Sequence, residues 1–231
     1  MKKRVMVIAA HPDDEVLGAG GVIARHSRSG DDVYVLILAE GLTSRDEKRD
    51  RAGKSGELSE LAESAHKAHA VLGTKSLELL DFPDNRMDSA DLLDVVKEIE
   101  KRMDEIEPEI VYTHHYGDLN IDHRVCHDAV VTACRPQPGQ YVKKLLFFEV
   151  PSGTDYHTPG FGHPFQPNHF VDITKELSLK LEALEAYRSE MREFPHTRSV
   201  KALKSLAEVR GASVGLEAAE AFIIGRSIEK E

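Results

Sequence analysis

The hydrophobic and polar positions alternate between two kinds of stretch along the chain. Val5 to Ala10 is an unbroken apolar run, the pattern of a strand covered on both faces of a sheet. It predicts a strand over 4–10. A helix follows through EVLGAGGVIARHSRSG, closed by Gly30, and DVYVLILAEG (32–41) predicts a second strand. Residues 42–56 are polar, charged and aperiodic, which predicts a loop able to act as a lid or substrate arm. Helical spacing returns over 57–73 and stops at Gly73; SLELLDF (76–82) predicts the third strand. A helix over 89–106 has Ser89 as its expected N-cap. EIVYTHH (109–115) predicts a strand, 121–134 a helix ended by Pro136, and KKLLFFEV (143–150) a fifth strand. Residues 151–169, rich in Gly, Pro and His, predict a long loop. A short strand over 169–174 and helices over 173–190, about 199–209 and 215–224 complete the reading. Strand and helix in alternation imply right-handed βαβ units. The expectation is an α/β, Rossmann-like fold: a mostly parallel sheet of about five or six strands, helices on both faces and a C-terminal helical segment. No linker or repeat interrupts it, so residues 1–231 are read as one domain.

Composition narrows the function classes. The net charge is −10, with Lys and Arg interspersed among acids, so no basic face for nucleic acid is expected. No run approaches the roughly 18 apolar residues of a membrane span, so no membrane insertion is expected. The basic N-terminus leads through six apolar residues straight into carboxylates, which argues against a signal peptide and for a cytoplasmic protein. Cys126 and Cys134 lie eight apart on one predicted helix, roughly 12 Å, too far for a disulfide. Reduced thiols are expected.

The chemistry sits at two strand ends. His11-Pro12-Asp13-Asp14-Glu15 follows the first strand, at the carboxyl side where open α/β sheets place their ligands. Helix capping explains one acid or two, but not a histidine with three acids. His114, His115, Asp118, Asp122 and His123 repeat the arrangement after the fourth strand, while His127, inside the helix, reads as structural. Two such clusters could converge on one metal. Two His and one Asp with an open position make a catalytic zinc site, and a neighbouring carboxylate that does not bind the metal can act as base. GAGGVI (18–23) fails as a dinucleotide fingerprint: Ile23 stands where Gly is needed, and the glycines lie inside the helix, where they allow close approach to the sheet. No phosphate-binding GxxxxGK[ST] or nucleophile elbow is present.

AHPDDE followed at a distance by Asp122-His123 resembles the PIG-L/LmbE-like family of zinc-dependent N-acetylglucosamine de-N-acetylases, over roughly residues 4–150. The resemblance implies His11, Asp14 and His123 as ligands of Zn²⁺ or another divalent transition metal, and Asp13 as general base. It implies removal of acetyl from an N-acetylated amino sugar or its conjugate. The family has His-Pro-Asp-His where this chain has Asn120-Ile121-Asp122-His123. Asn120 can donate a hydrogen bond to an oxyanion but cannot act as an acid. His114, His115 or Asp13 alone is then the proton source. Asp122 is expected to orient a neighbouring ligand or donor, and Glu15 to bond behind the ligands or cap the helix. For substrate, Arg45 is favoured over Arg49 and Arg51, together with Asn85, Arg86, His114, His115 and His196. The resemblance implies a small amino sugar as partner and leaves a homo-oligomer open. The alternatives are a non-catalytic metal- and sugar-binding protein, or an amidohydrolase acting on a non-sugar amide.

Overall fold

The computed structural model describes residues 2–158, 160 and 162–229. Seven strands form one sheet: β1 (Arg4–Ala9), β2 (Asp32–Ala39), β3 (Ser76–Phe82), β4 (Ile110–His114), β5 (Lys144–Phe148), β6 (His169–Asp172) and β7 (Ala219–Ser227). Their order is β3-β2-β1-β4-β5-β7-β6. The first five are parallel; β7 runs antiparallel between β5 and β6. The helices are α1 (Asp14–Arg28), α2 (Ser55–Leu72), α3 (Leu92–Ile106), α4 (Ile121–Ala133), α5 (Leu177–Ala186) and α6 (Val200–Ala212). None is long and apolar enough to cross a membrane.

The central strand shows why its sequence is apolar throughout. Side chains alternate across a strand, so Val5, Val7 and Ala9 of β1 pack with α1, α2, α5 and α6. Met6, Ile8 and Ala10 pack with α3 and α4 on the other face. Two helix layers leave no position on β1 for a polar side chain. The glycines of α1 allow the close approach anticipated for them. A Cβ on Gly18 would lie 2.3 Å from Cδ2 of Phe148, which is fully buried. We therefore expect Gly18→Ala to lose about 1–3 kcal/mol to overpacking, against a helix-propensity gain of at most about 1 kcal/mol. Thermal unfolding would read this as a lowered Tm.

Two elements correct the sequence reading. Residues expected as a helix over 215–224 include β7, which starts at Ala219. The stretch LEAAEA has strong helix formers, but β7 is paired on both sides, and such tertiary pairing overrides local propensity. Glu220, at the second position of β7, is buried and ion-paired to Lys180 at 2.6 Å. Its carboxylate also accepts from Gly21 and Val22 N–H of α1, at 2.9 and 2.7 Å. The third helix begins at Leu92 behind Asp91, not at Ser89. Ser89 instead closes a short 3₁₀ turn, and its hydroxyl donates to Arg86 O at 2.7 Å. Both cysteines are free and buried.

Candidate active site

The strand order reverses direction at β1 and β4, one leading to β2 and the other to β5. At such a switch point the loops leaving two neighbouring strands diverge and open a crevice. The turn after β1 carries His11 to Asp13 and leads into α1 at Asp14; β4 ends at His114, and the loop after it leads into α4, whose first turn carries Asp122 and His123. The topology thus brings together two motifs more than a hundred residues apart.

Asp14 is the hub. Its Oδ2 lies 3.1 Å from His11 Nδ1 and 3.1 Å from His123 Nε2. Its Oδ1 is buried without a hydrogen-bond partner. His123 is similarly placed: its Nδ1 is 3.1 Å from Asp118 Oδ2, yet neither ring nitrogen has the angles of a hydrogen bond. Unpartnered polar atoms are costly in a protein interior. They lie in two residues of a group in which one ligand atom each of His11, Asp14 and His123 falls within 4.8 Å of the others. This donor set fits a divalent transition metal with an open position. A second group, His11, Asp84 and Asp122, overlaps it, but its carboxylates are occupied. Asp122 accepts from Asn85 N–H at 2.6 Å and Met87 N–H at 2.9 Å. Asp84 accepts from Ser44 N–H at 2.9 Å and from the Asn85 amide at 3.0 Å.

Those satisfied carboxylates have a different use. Asp122 Oδ2 is 2.9 Å from His11 Nε2, the nitrogen facing away from Asp14. Asp118 Oδ2 stands beside His123 Nδ1 at 3.1 Å as an ion-pair neighbour. A carboxylate behind an imidazole that binds a metal fixes ring orientation and raises ligand basicity. Asp118 is itself held by the Thr154 hydroxyl at 2.7 Å and Asn120 N–H at 2.9 Å. Gly153 is needed there, because a Cβ would lie 2.7 Å from Asp118 Oδ1. Burial alone would lower His123; Asp14 and Asp118 outweigh it and raise the imidazole to about 9. His114 shifts the opposite way, well down, through burial and the neighbouring His123 charge.

Asp13 stands beside this group. Burial pushes its carboxyl well above the usual range, opposed by the Arg198 guanidinium. Arg198 Nη1 donates to its Oδ2 at 2.7 Å, and Arg198 Nε donates to Ser152 Oγ at 2.6 Å. The sequence marks residues 189–199, with one His and two Arg around a Pro, as a segment able to reach the site, and favours His196 there rather than Arg198. No pattern separates Arg198 from Arg192, which here donates only to local carbonyls. His196 Nδ1 accepts from Arg198 N–H at 3.1 Å, and its ring faces Tyr156 at 6.2 Å.

The other expected residues are largely engaged with protein. Asn120 caps α4, its Oδ1 accepting from Asp122 N–H at 2.8 Å, while its amide donates to Asn85 Oδ1 at 2.9 Å. Arg45 grips both oxygens of Glu190, at 2.7 and 2.8 Å. Arg49 and Arg51 pair with Glu40, and Arg86 donates to the carbonyls of Asp46 and Glu47 at 3.1 Å. His114 is fully buried, stacks on His123 at 4.0 Å and accepts from Ala10 N–H at 2.8 Å. His115 is buried, with Nε2 2.8 Å from His163 O.

Comparison with known proteins places the protein among α/β deacetylases, enzymes that hydrolyse amide bonds. The chain belongs to the PIG-L family: the family model described as GlcNAc-PI de-N-acetylase matches residues 6–134, more than half of its length. It is 28% identical over 193 residues to the uncharacterized deacetylase YaiS of Escherichia coli (strain K12), covering 81% of this chain and 92% of that one. It is 29% identical over 207 residues to diacetylchitobiose deacetylase of Thermococcus kodakarensis, covering 83% of this chain and 71% of that protein. Among solved structures, GalB, the 4-carboxy-2-hydroxymuconate hydratase of Pseudomonas putida KT2440, superposes with a TM-score of 0.78 at 23% identity, over 100% of this chain and 99% of that one. The same fold therefore carries more than one reaction, and the reaction must be argued from side chains.

Proposed function

We propose that the protein is a metal-dependent N-deacetylase acting on an N-acetylated amino sugar. The observation that carries this reading is the grouping of His11, Asp14 and His123, with unpartnered polar atoms on Asp14 and His123, and the buried carboxylate of Asp13 beside them. A zinc ion, or another divalent transition metal, held by these three would polarise the acetyl carbonyl and acidify a water. Asp13 takes the proton of the attacking water. Arg198 holds Oδ2, and Oδ1 has no hydrogen-bond partner among the described residues. The raised basicity conferred by burial suits this task. Asp13 then returns the proton to the departing amine, so no separate acid is needed at Asn120. Asp118 and Asp122 keep the two imidazoles in register, and Asn120 holds the start of α4, which carries His123.

The charges around the crevice point to an uncharged substrate. Arg45, Arg49, Arg51 and Arg198 are each paired with a carboxylate, Arg86 bonds to the carbonyls of Asp46 and Glu47, and the whole chain carries −10. A phosphate or malate group would have to break one of these contacts and work against the overall field. The test is release of free amine from GlcNAc, diacetylchitobiose, GlcNAc-inositol, GlcNAc-malate and UDP-GlcNAc, with and without chelator. We expect chelator-sensitive turnover with kcat/KM for the neutral sugars at least about 10-fold above that for the anionic conjugates, the worth of one unfavourable charge contact of about 1.4 kcal/mol. No amine release from any of them would remove the amino-sugar assignment.

A further inference from the structure

A strained backbone lies at the proposed base. Asp13 has φ 116° and ψ −30°, a conformation disfavoured for a residue with a Cβ. Such a conformation persists only where its surroundings over-determine it. Its carbonyl starts α1, accepting from Val16 and Leu17 N–H at 3.1 and 2.8 Å. Its own N–H has one acceptor, Glu15 Oε2, at 3.1 Å.

Glu15 is wholly buried, an expensive place for a carboxylate without donors. Its other oxygen receives them from two distant elements. The Tyr187 hydroxyl, beyond the end of α5, donates to Oε1 at 2.8 Å, and His69 Nε2, in the last turn of α2, lies 3.1 Å away. Tyr187 is fully buried and His69 nearly so. Neither touches His11, Asp14 or His123 by hydrogen bond, and the proposed mechanism uses neither. A salt link built only for stability would not need an oxygen turned back onto the N–H of Asp13, whose φ is the largest among the described non-glycine residues with positive φ.

We propose that Glu15, anchored by His69 and Tyr187, is the positioning residue of Asp13: it fixes the backbone that aims the carboxylate at the reacting water. This rests on Asp13 being the base. The carboxylate binds two layers of the fold to that backbone, α2 through His69 and the segment after α5 through Tyr187. Tyr187 lies outside the span matched by the family model.

Three variants of the metal-loaded full chain test it. Glu15→Met keeps length but removes the acceptor; kcat is expected to fall about 10²-fold, the cost of a misplacement near 1 Å. KM stays within about 3-fold, because uniform substrate binding is untouched, and metal content per chain is unchanged. Glu15→Gln can turn its carbonyl to Asp13 N–H and its amide to Tyr187, whose hydroxyl can also accept, so it should recover kcat to within about 5-fold of wild type. Tyr187→Phe removes one anchor and is expected to lower kcat about 3- to 10-fold at constant KM. A merely structural role would lower the melting temperature of Glu15→Met without changing kcat well below it. A folded, loaded Glu15→Met with wild-type kcat overturns the proposal. If Glu15→Met does not fold, Tyr187→Phe decides, and wild-type kcat there overturns it equally. Asp13→Asn in the same assay separates the two levels. If Asp13→Asn is fully active, the functional reading has failed; if it is inactive while Glu15→Met is active, only the positioning role has.

Discussion

Replacing Asp13 with asparagine is expected to lower kcat by about 10²- to 10⁴-fold, the range of a positioned general base, while metal content per chain stays at the wild-type level. Asparagine keeps the shape of the side chain. Its carbonyl can accept from Arg198 as Oδ2 does now, which leaves the NH₂ group facing the water, where it can accept no proton. Fold and metal group are spared because none of the ligand atoms belongs to Asp13. Measuring kcat, KM and bound metal on one preparation separates this outcome from misfolding. Full metal-dependent activity in the variant would remove the base assignment.

The second large effect concerns the metal group itself. Asp14→Ala or His123→Ala is expected to abolish stoichiometric metal binding and lower activity by more than about 10²-fold, since losing an outer carboxylate partner alone costs roughly 10- to 100-fold in metal affinity or activity. Asp14 is the harsher deletion. It lies within 3.1 Å of both imidazoles, so its loss leaves His11 and His123 with no carboxylate between them. Asp118→Asn should show the smaller effect, weakening affinity through His123 with all three ligands present. Elemental analysis after dialysis, and activity restored to chelated wild type by added zinc, check the series. Tight zinc binding by both alanine variants would place the ion elsewhere, with the overlapping Asp84–Asp122 group the first place to look.

The part of this site legible in sequence is the part fixed by strand ends. An apolar run that stops at His11 marks both where β1 ends and where the sheet opens, and the same holds for β4 and His114. Once two such ends are neighbours, convergence follows from topology. The partners behind the ligands were less accessible. Asp122 could be seen to orient something, but its acceptance of Asn85 and Met87 N–H depends on a turn after β3. Arg198 was legible only as one of two arginines in a segment able to reach the site, and Tyr187 was not legible. Their approach to Asp13 and Glu15 is set by how α5 and α6 pack, and no periodicity records that. β7 was misread for a related reason: its local sequence favours helix, and only its two neighbours make it a strand.

The position of β7 has a consequence for how the chain must assemble. It follows β6 in sequence but lies between β6 and β5. Until residues 219–227 are in place, β5 keeps an open edge and β6 has no strand to join. Closing β5 to β7 brings together segments some 75 residues apart along the chain, and such non-local pairings are slow to form. During synthesis the five parallel strands and their helices can be built first, but the sheet waits for a segment that emerges late. In that interval an unpaired strand edge is exposed, which makes this the stage most open to pairing with another chain.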